Sequence, residues 1–242
     1  MLDSHVHIGQ FNEKYYHFDA VFTAIFSAGK VDKIRYSSTS SCIQDVKYGF
    51  VRKEIEDALN KYPADMAIPL FWLVPDYINQ GMAIKTAMND LPYGGFKLHS
   101  YGNKWDFEND KKQRDTLHEL FDYADDARLP ILIHTGESGV DRPDRFERFF
   151  AGHENARIIL AHCRPPDETT KLMEKHPNIL GDTAFASKDG IDEIKRAGFG
   201  ARLLFGTDFP ITHYFRRKSS GISLQEQYKL DLEQAEWIKP AS

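Results

Sequence analysis

Short apolar runs alternate with amphipathic segments along the whole chain, and the apolar runs have the length of β-strands. Some of these runs are nearly continuous in hydrophobic residues, which is typical of strands buried on both faces of a parallel sheet. The pattern predicts eight strands, at residues 2–8, 31–36, 66–74, 95–99, 130–134, 156–162, 178–185 and 202–207.

The segments between the runs carry apolar side chains at helical spacing. Val51, Ile55 and Leu59 recur every fourth position before Pro63, which ends that helix. Helices are predicted at residues 19–27, 44–62, 75–89, 111–127, 144–150, 167–176, 187–197 and 224–238. After the last strand, the charged run at residues 216–218 is interpreted as a solvated loop.

Eight strands alternating with helices predict an α/β fold, the (β/α)8 TIM barrel. A doubly wound open sheet is the alternative, but no glycine-rich dinucleotide loop follows the first strand. Because that strand begins at residue 2, we expect a single domain over residues 1–242 without an accessory β-sandwich.

The composition narrows the function classes. Hydrophobic residues make up 41% of the 242 residues, enough for a sizeable core. The net charge of −5 gives no support to nucleic-acid binding. Two cysteines in no metal or disulfide spacing suggest a reducing compartment. Neither a signal peptide nor an apolar run of about 18 residues is present, so we expect a cytoplasmic protein with no membrane partner.

Histidine and aspartate residues follow the apolar runs at one end of the predicted strands. His5 and His7 lie two positions apart on the first strand, so both imidazoles face the same side. Two adjacent imidazoles are good metal ligands and poor core residues. The later strands end in His99, His134, His162 and Asp208. A barrel places its catalytic groups at this end of the strands, so these positions are candidate site residues.

These motifs resemble the amidohydrolase superfamily of metal-dependent barrel enzymes. The matching residues are the pair His5 and His7, His134 before Thr-Gly, His162 after Ala161, and Asp208 between Gly-Thr and Phe-Pro. They stand in the family's order over nearly the whole chain. The most similar branch is that of amidohydrolase 2 proteins, which includes aminocarboxymuconate-semialdehyde decarboxylase and often carries a single metal.

The resemblance implies that His5, His7, His134 and Asp208 bind one divalent metal, with His162 beside it as a catalytic group. Three imidazoles and a carboxylate suit Zn²⁺, with Mn²⁺, Co²⁺ or Fe²⁺ as alternatives. Asp208 would accept a proton from the metal-activated water, and His162 would polarise a carbonyl or hold the nucleophile in line.

Strand four leaves two positions open. In relatives with two metals a carboxylated lysine on this strand bridges the ions, so Lys97 either takes part in a second metal site or pairs with an acid at the barrel mouth. His99 faces the same way, and is either a substrate contact or a hydrogen-bonding partner within the site.

The leading functional hypothesis is a metal-dependent hydrolase acting on a small carboxylated amide, lactone or ester. A non-oxidative decarboxylase or hydratase uses the same scaffold, and an inactive barrel that only binds a metal or ligand is the alternative of another class. Arginines in the loops after strands five, six and eight would hold the carboxylate, or else form surface ion pairs: Arg142, Arg145, Arg164, Arg216 and Arg217. The partner is expected to be a small molecule, and homo-oligomerisation is left open.

Overall fold

The computed structural model describes residues 1–136 and 138–239. In it, mainly parallel strands alternate with helices. Its strands are β1 (Leu2–Phe11), β2 (Lys14–Tyr16), β3 (Lys33–Ser38), β4 (Ala67–Pro69), β5 (Phe71–Trp72), β6 (Phe96–Leu98), β7 (Pro130–His134), β8 (Arg157–Ala161), β9 (Ile179–Asp182) and β10 (Leu203–Leu204). All neighbouring pairs are parallel except β1 and β2, which form an antiparallel hairpin.

Ten α-helices lie between and after these strands in the described residues. They are α1 (Phe18–Ser27), α2 (Tyr48–Lys61), α3 (Pro75–Asn79), α4 (Ile84–Asp90), α5 (Ser100–Asn103), α6 (Lys111–Asp126), α7 (Pro166–Lys175), α8 (Lys188–Arg196), α9 (Ile211–Ser220) and α10 (Leu224–Asp231). Short 3₁₀ helices lie at Thr39–Cys42, Pro143–Phe149, Gly200–Arg202 and Leu232–Ile238. Within the described residues, no helix has both the length and the hydrophobicity needed to cross a membrane.

The strands close into the predicted barrel. One ladder runs β2-β1-β3-β4 and the other runs β10-β9-β8-β7-β6-β5. Because β4 and β5 follow each other along one line and β2 is a hairpin arm, the ten described strands occupy eight barrel positions. Backbone hydrogen bonds join β1 to the segment after β10, from Ser4 N to Phe205 O at 2.9 Å and from Asp208 N to His5 O at 2.8 Å. The (β/α)8 prediction is confirmed.

Hydrophobic packing has two layers, as this fold requires. Aliphatic side chains of alternate strand positions fill the barrel interior: Leu70, Leu132, Ile159, Ala161, Leu180 and Leu204. The other face of each strand packs against the helices; for example, the ring of Phe96 on β6 lies 6.0 Å from that of Tyr123 on α6. This packed interior lies below the carboxyl ends of the strands, so it supports the polar residues that follow them.

Five predicted elements differ in kind or continuity from the structure. The helix predicted at 144–150 is the 3₁₀ helix Pro143–Phe149, and the helix predicted at 224–238 is α10 followed by the 3₁₀ helix Leu232–Ile238. The run at 66–74 is two short strands, because Pro69 has no N–H to donate to a ladder. The helix predicted at 75–89 is split into α3 and α4 at Gly81, whose φ of +81° ends the first helix. The predicted loop at 216–218 lies in α9, whose apolar positions Ile211 and Tyr214 precede the charged run.

Candidate active site

The polar residues at the strand ends line one cavity at the mouth of the barrel. Its volume is about 380 Å³, and its lining includes every candidate metal and catalytic residue that the sequence singled out: His5, His7, Lys97, His99, His134, His162 and Asp208. They form one tight group, from β1 and the segment after β10, and a second group at the ends of β7 and β8.

The tight group is formed by His5, His7 and Asp208. Each offers one ligand atom, and these atoms lie within 4.8 Å of one another. The Nε2 atoms of the two imidazoles are 3.1 Å apart, and Oδ1 of Asp208 is 2.8 Å from Nε2 of His7 and 3.4 Å from that of His5. All three side chains are buried, so water does not separate their charges and lone pairs.

Each ring has a hydrogen-bonding partner on its far side. Nδ1 of His5 donates to Oδ2 of Asp182 at 2.9 Å, and Nδ1 of His7 lies 3.3 Å from the carbonyl oxygen of Ser37 and 3.1 Å from its hydroxyl. With the ring proton on Nδ1, each Nε2 atom presents a lone pair to the cavity. Burial and the charge of Lys97 hold the pKa of His5 well below its ordinary value, which keeps that ring neutral.

This donor set fits a divalent cation. Two imidazole nitrogens and a carboxylate oxygen meet at 2.8–3.4 Å, and their lone pairs would repel one another unless a proton or a cation lies among them. Nitrogen and oxygen ligands of this kind suit Zn²⁺, Mn²⁺ and Fe²⁺. The carboxylate contributes full charge: burial would raise the pKa of Asp208, but His5 and His7 outweigh it and hold the pKa well below its usual range.

Lys97 approaches the same donors. Its Nζ lies 3.1 Å from Nε2 of His5 and 5.6 Å from the ring centre of Trp72. Within residues 1–136 and 138–239, no carboxylate oxygen lies within 4.0 Å of it, so it does not form the direct acid pair considered from the sequence. Burial lowers the pKa of Lys97 to about 8, in spite of the charges of Asp208 and Asp182.

His134 and His162 form the second group. Nε2 of His162 lies 2.9 Å from Nδ1 of His134, and Nδ1 of His162 faces the carbonyl oxygen of Ala184 at 2.7 Å. Since that carbonyl requires the proton on Nδ1, Nε2 of His162 accepts from His134. His134 therefore touches the tight group only through His162, whose ring centre lies 5.3 Å from that of His5. Burial lowers the pKa of both rings.

His99 is stacked between two flat rings. Its centre lies 3.8 Å from that of His134 at an interplanar angle of 11°, and 5.9 Å from that of Trp72 at 9°. Nδ1 of His99 also accepts a hydrogen bond from Gly102 N at 3.1 Å. The structure therefore makes His99 a hydrogen-bonding wall residue whose ring also lines the cavity.

Asp182 is a site residue to which the sequence assigned no role. It ends β9 and is fully buried; one oxygen accepts from His5, and the other accepts from the backbone N of His162 at 2.8 Å. Burial raises the pKa of Asp182 to about 6, against the lowering effect of His162. A single carboxylate thus orients both histidine groups. Its place directly after an apolar run was the available signal.

Two site residues have left-handed backbone conformations. The φ angles are +72° at His162 and +56° at Asp208. Such angles are uncommon outside glycine and cost about 1–3 kcal/mol unless the surroundings hold them. Asp208 is held by its backbone bond to His5, and by Thr207, whose hydroxyl donates to the buried Asp3 at 2.7 Å. Both conformations lie where candidate donors are aimed into the cavity.

The candidate arginines are dispersed. Arg164 alone of the five lines the cavity, and its buried Nε has no hydrogen-bond partner among the described residues. Arg142 pairs with Glu168, Arg145 pairs with Glu108 at 2.5 Å, and Arg217 pairs with Glu13 at 2.6 Å. Arg216 is exposed on α9 and outside the lining.

Apolar side chains form the rest of the cavity wall. Phe11 comes from the β1 end, Trp72 from β5, Phe185 from the loop after β9, and Ile211 and Phe215 from α9. Such walls exclude water and strengthen the electrostatic interactions of the polar residues at the floor. Because they are largely aromatic, they fit a flat or unsaturated substrate.

Comparison with protein families gives one match that spans most of the chain. A family model described as Amidohydrolase matches residues 45–239. The matched region includes His134, His162 and Asp208, while His5 and His7 precede it. Comparison with curated proteins gives no match.

Solved structures with the same fold cover nearly the whole chain at low sequence identity. A protein described as a candidate 2-pyrone-4,6-dicarboxylic acid hydrolase, from Pseudomonas putida, is 14% identical, with a TM-score of 0.62 and coverage of 100% of this chain and 91% of that one. A 2,6-dihydroxybenzoate decarboxylase from Rhizobium is 13% identical, with a TM-score of 0.54 and coverage of 98% and 97%.

A third structure contains a metal. The 5-carboxyvanillate decarboxylase from Novosphingobium aromaticivorans, complexed with manganese and 4-hydroxy-3-methoxy-5-nitrobenzoic acid, is 15% identical, with a TM-score of 0.53 and coverage of 90% of this chain and 79% of that one. At such identities the likeness establishes the shared fold.

Proposed function

The chain belongs to the amidohydrolase family, and from that premise we propose that it is a metal-dependent hydrolase acting on a small carboxylated molecule. One observation carries the proposal. The unprotonated nitrogens of His5 and His7 and the carboxylate of Asp208 meet within 4.8 Å in a buried cavity, where a divalent cation would satisfy all three.

We assign His5, His7 and Asp208 as metal ligands, and His134 as the fourth ligand that the family pattern implies. His134 contacts His162, which lies between it and the other three ligands, so the ring of His134 would have to change its orientation to join them. A metal bound there would supply Lewis-acid chemistry, polarising the reacting carbonyl and making a water molecule more acidic. Zn²⁺ and Mn²⁺ both fit the donor types.

The protein's own groups are arranged to accept protons. Asp208 is ionised at neutral pH and can remove a proton from an attacking water. The lone pair on Nε2 of His162 accepts from His134, and it would become available to a water once His134 turns to join the metal ligands. Hydrolysis begins with removal of the proton from water. The same neutral His162, fixed by the carbonyl of Ala184, can then return the proton to the leaving group.

The substrate carboxylate is assigned to Arg164. This guanidinium is half-buried at the cavity wall, so its charge would pair with a carboxylate held in the cavity. The aromatic walls would hold a flat carbon framework between Arg164 and the histidines.

Non-oxidative decarboxylation is the second candidate. The shared fold of the dihydroxybenzoate and carboxyvanillate decarboxylases supports it, as do the aromatic walls of the cavity. That reaction needs a proton delivered to carbon. Asp208 and Nε2 of His162 are proton acceptors in this structure, and the ammonium of Lys97 is directed at Nε2 of His5. The geometry therefore favours hydrolysis.

The test combines metal content with a product assay. Protein purified without chelator should contain about one equivalent of divalent metal. Lactones, N-acyl amino acids and unsaturated aromatic acids would be screened with Zn²⁺ or Mn²⁺, recording both hydrolysis and release of carbon dioxide. Hydrolysis that a chelator abolishes and metal restores would support the proposal. Release of carbon dioxide would support decarboxylation, and bound metal without turnover on any compound would favour a binding protein.

A further inference from the structure

We propose that the substrate is an extended molecule whose reacting end lies in the catalytic cavity and whose uncharged apolar end lies in a groove continuing from it. The proposal rests on the function proposed above, since it names the class of substrate for the same site. The groove has a volume of about 510 Å³ and runs from the cavity towards α5.

The groove and the cavity are one continuous space. They share five lining residues: Phe11, Thr39, Cys42, His99 and His134. The cavity alone, at about 380 Å³, is near the lower end of the range of about 300–1,000 Å³ for small-molecule sites. A molecule that fills the cavity can therefore extend into the groove without a break.

The groove lining presents mainly apolar surface, and its polar residues, which include Gln10, Asn12 and Thr39, are neutral. No aspartate, glutamate, lysine or arginine lines it among the residues that the structure describes, although charged residues make up 28% of the sequence. Two large side chains on its rim are solvent-exposed: Tyr101 at 68% and Ile43 at 40%. Single exposed hydrophobic residues are ordinary, but these two flank an opening that leads to the candidate catalytic residues.

The shared wall is built rigidly. The parallel rings of Trp72, His99 and His134 form a stack with one end in the cavity and the other along the groove. Helix α5 is fastened to this stack, because Gly102 N donates to His99 and Tyr101 N donates to Asp141 at 3.0 Å. Tyr101 is thus presented at a fixed position relative to the catalytic histidines.

These features define the occupant of the groove. A charged group there would lose hydration without gaining an ionic partner, so the distal part of the substrate must be neutral. Flat aromatic and aliphatic surfaces such as Tyr101, Ile43 and Phe11 favour an alkyl or aryl tail. The substrate class is therefore a carboxylated head joined to an apolar tail.

The experiment measures binding of benzoate and its 4-ethyl, 4-butyl and 4-hexyl derivatives to the metal-loaded protein by calorimetry. Affinity should rise along the series by up to about three- to fourfold for each methylene group buried. The double variant Ile43→Ser, Tyr101→Ser should flatten this rise while leaving benzoate binding unchanged. The matched control is Phe50→Ser, because Phe50 is 51% exposed on α2 and outside the groove.

The possible outcomes separate the two proposals. An unchanged rise in the double variant, a flat series in the wild type, or no binding even of the hexyl compound would overturn the groove assignment. The full rise in metal-depleted protein, lost in the double variant, would support the groove independently of the metal. Absence of chelator-sensitive turnover would then count against the proposed function alone.

Discussion

The ammonium nitrogen of Lys97 lies 3.1 Å from Nε2 of His5, the same nitrogen that Oδ1 of Asp208 approaches at 3.4 Å. A positive charge already faces the lone pair that a metal would use. The ammonium and the metal are therefore competitors for His5, and the state of Lys97 should control metal affinity.

The first prediction follows from this competition. Burial lowers the pKa of Lys97 to about 8, so the ammonium occupies His5 below that pH and releases it above. Metal affinity should rise as the pH passes through 8. Lys97→Met should raise affinity at pH 6.5 by about tenfold or more, because a like charge a few ångströms away is removed. Chelator competition at pH 6.5 and 9 measures both effects.

Lys104→Met is the control for that variant, since Lys104 is an exposed lysine at the end of α5. Loss of metal in Lys97→Met would instead make Lys97 a ligand. Two metal equivalents in the wild type would then identify it as the carboxylated bridge that binuclear relatives contain.

A second prediction concerns the orientation of His5 by Asp182. In Asp182→Asn, the amide oxygen is needed by the backbone N of His162, so the NH₂ group faces Nδ1 of His5. The ring must then move its proton to Nε2 and lose its lone pair there. Metal affinity should fall by about 10- to 100-fold. Asp231→Asn, at a buried carboxylate outside the cavity lining, should leave the affinity unchanged; equal loss in both variants would contradict an orienting role.

The third prediction separates catalysis from metal retention. His162→Asn should keep the metal near one equivalent and lower turnover by about 100-fold or more, as expected for a positioned acid–base group. Burial lowers the pKa of His162 from 6.5, so with saturating metal the wild-type activity should fall only when the pH drops below 6.5. Elemental analysis and a pH–rate profile test this. Parallel loss of metal would show that His162 is a ligand.

Substrate charge gives the fourth prediction. Arg164→Met should raise KM for an acid substrate by about tenfold or more, the effect of losing a hydrogen bond between charged groups, and should change KM for its methyl ester little. Arg142→Met is the control, because Arg142 already pairs with Glu168 outside the cavity. Equal effects on acid and ester would remove Arg164 from carboxylate binding.

The fifth prediction concerns stability. Burial raises the pKa of Asp231 to about 6, although Thr212 and Gln227 donate to it at 2.6 Å. Because its folded pKa exceeds the ordinary 3.8, its contribution to stability is present at low pH and is lost as the pH rises from about 4 to 6. The free energy of unfolding of Asp231→Asn should therefore rise relative to that of the wild type over this pH range, by at most about 3 kcal/mol.

Urea unfolding of both proteins at pH 4.5 and 7 measures that gain. Asp65→Asn, at an exposed carboxylate, is the control and should show no such difference. A gap between wild type and Asp231→Asn that stays constant with pH would contradict the prediction.

Sequence reasoning predicted the barrel because burial on both faces leaves long apolar runs, as in 130–134 and 156–161. It placed His5, His7, His162 and Asp208 at one mouth because parallel strands share their direction. It assigned no role to Asp182, since a contact between β9 and β1 depends on which strands adjoin inside the closed barrel. Nor could spacing separate Arg164 from Arg142, whose partner Glu168 lies on a helix many residues away.

The seam between β1 and the segment after β10 has a further consequence. It joins the first residues of the barrel to nearly the last ones, and the same two segments carry His5, His7 and Asp208. A cation bound by these donors would join the two segments that close the barrel, so metal binding would be coupled to barrel closure. During synthesis this link cannot form until the segment bearing Asp208 has emerged from the ribosome, so metal binding would come after most of the barrel has been made.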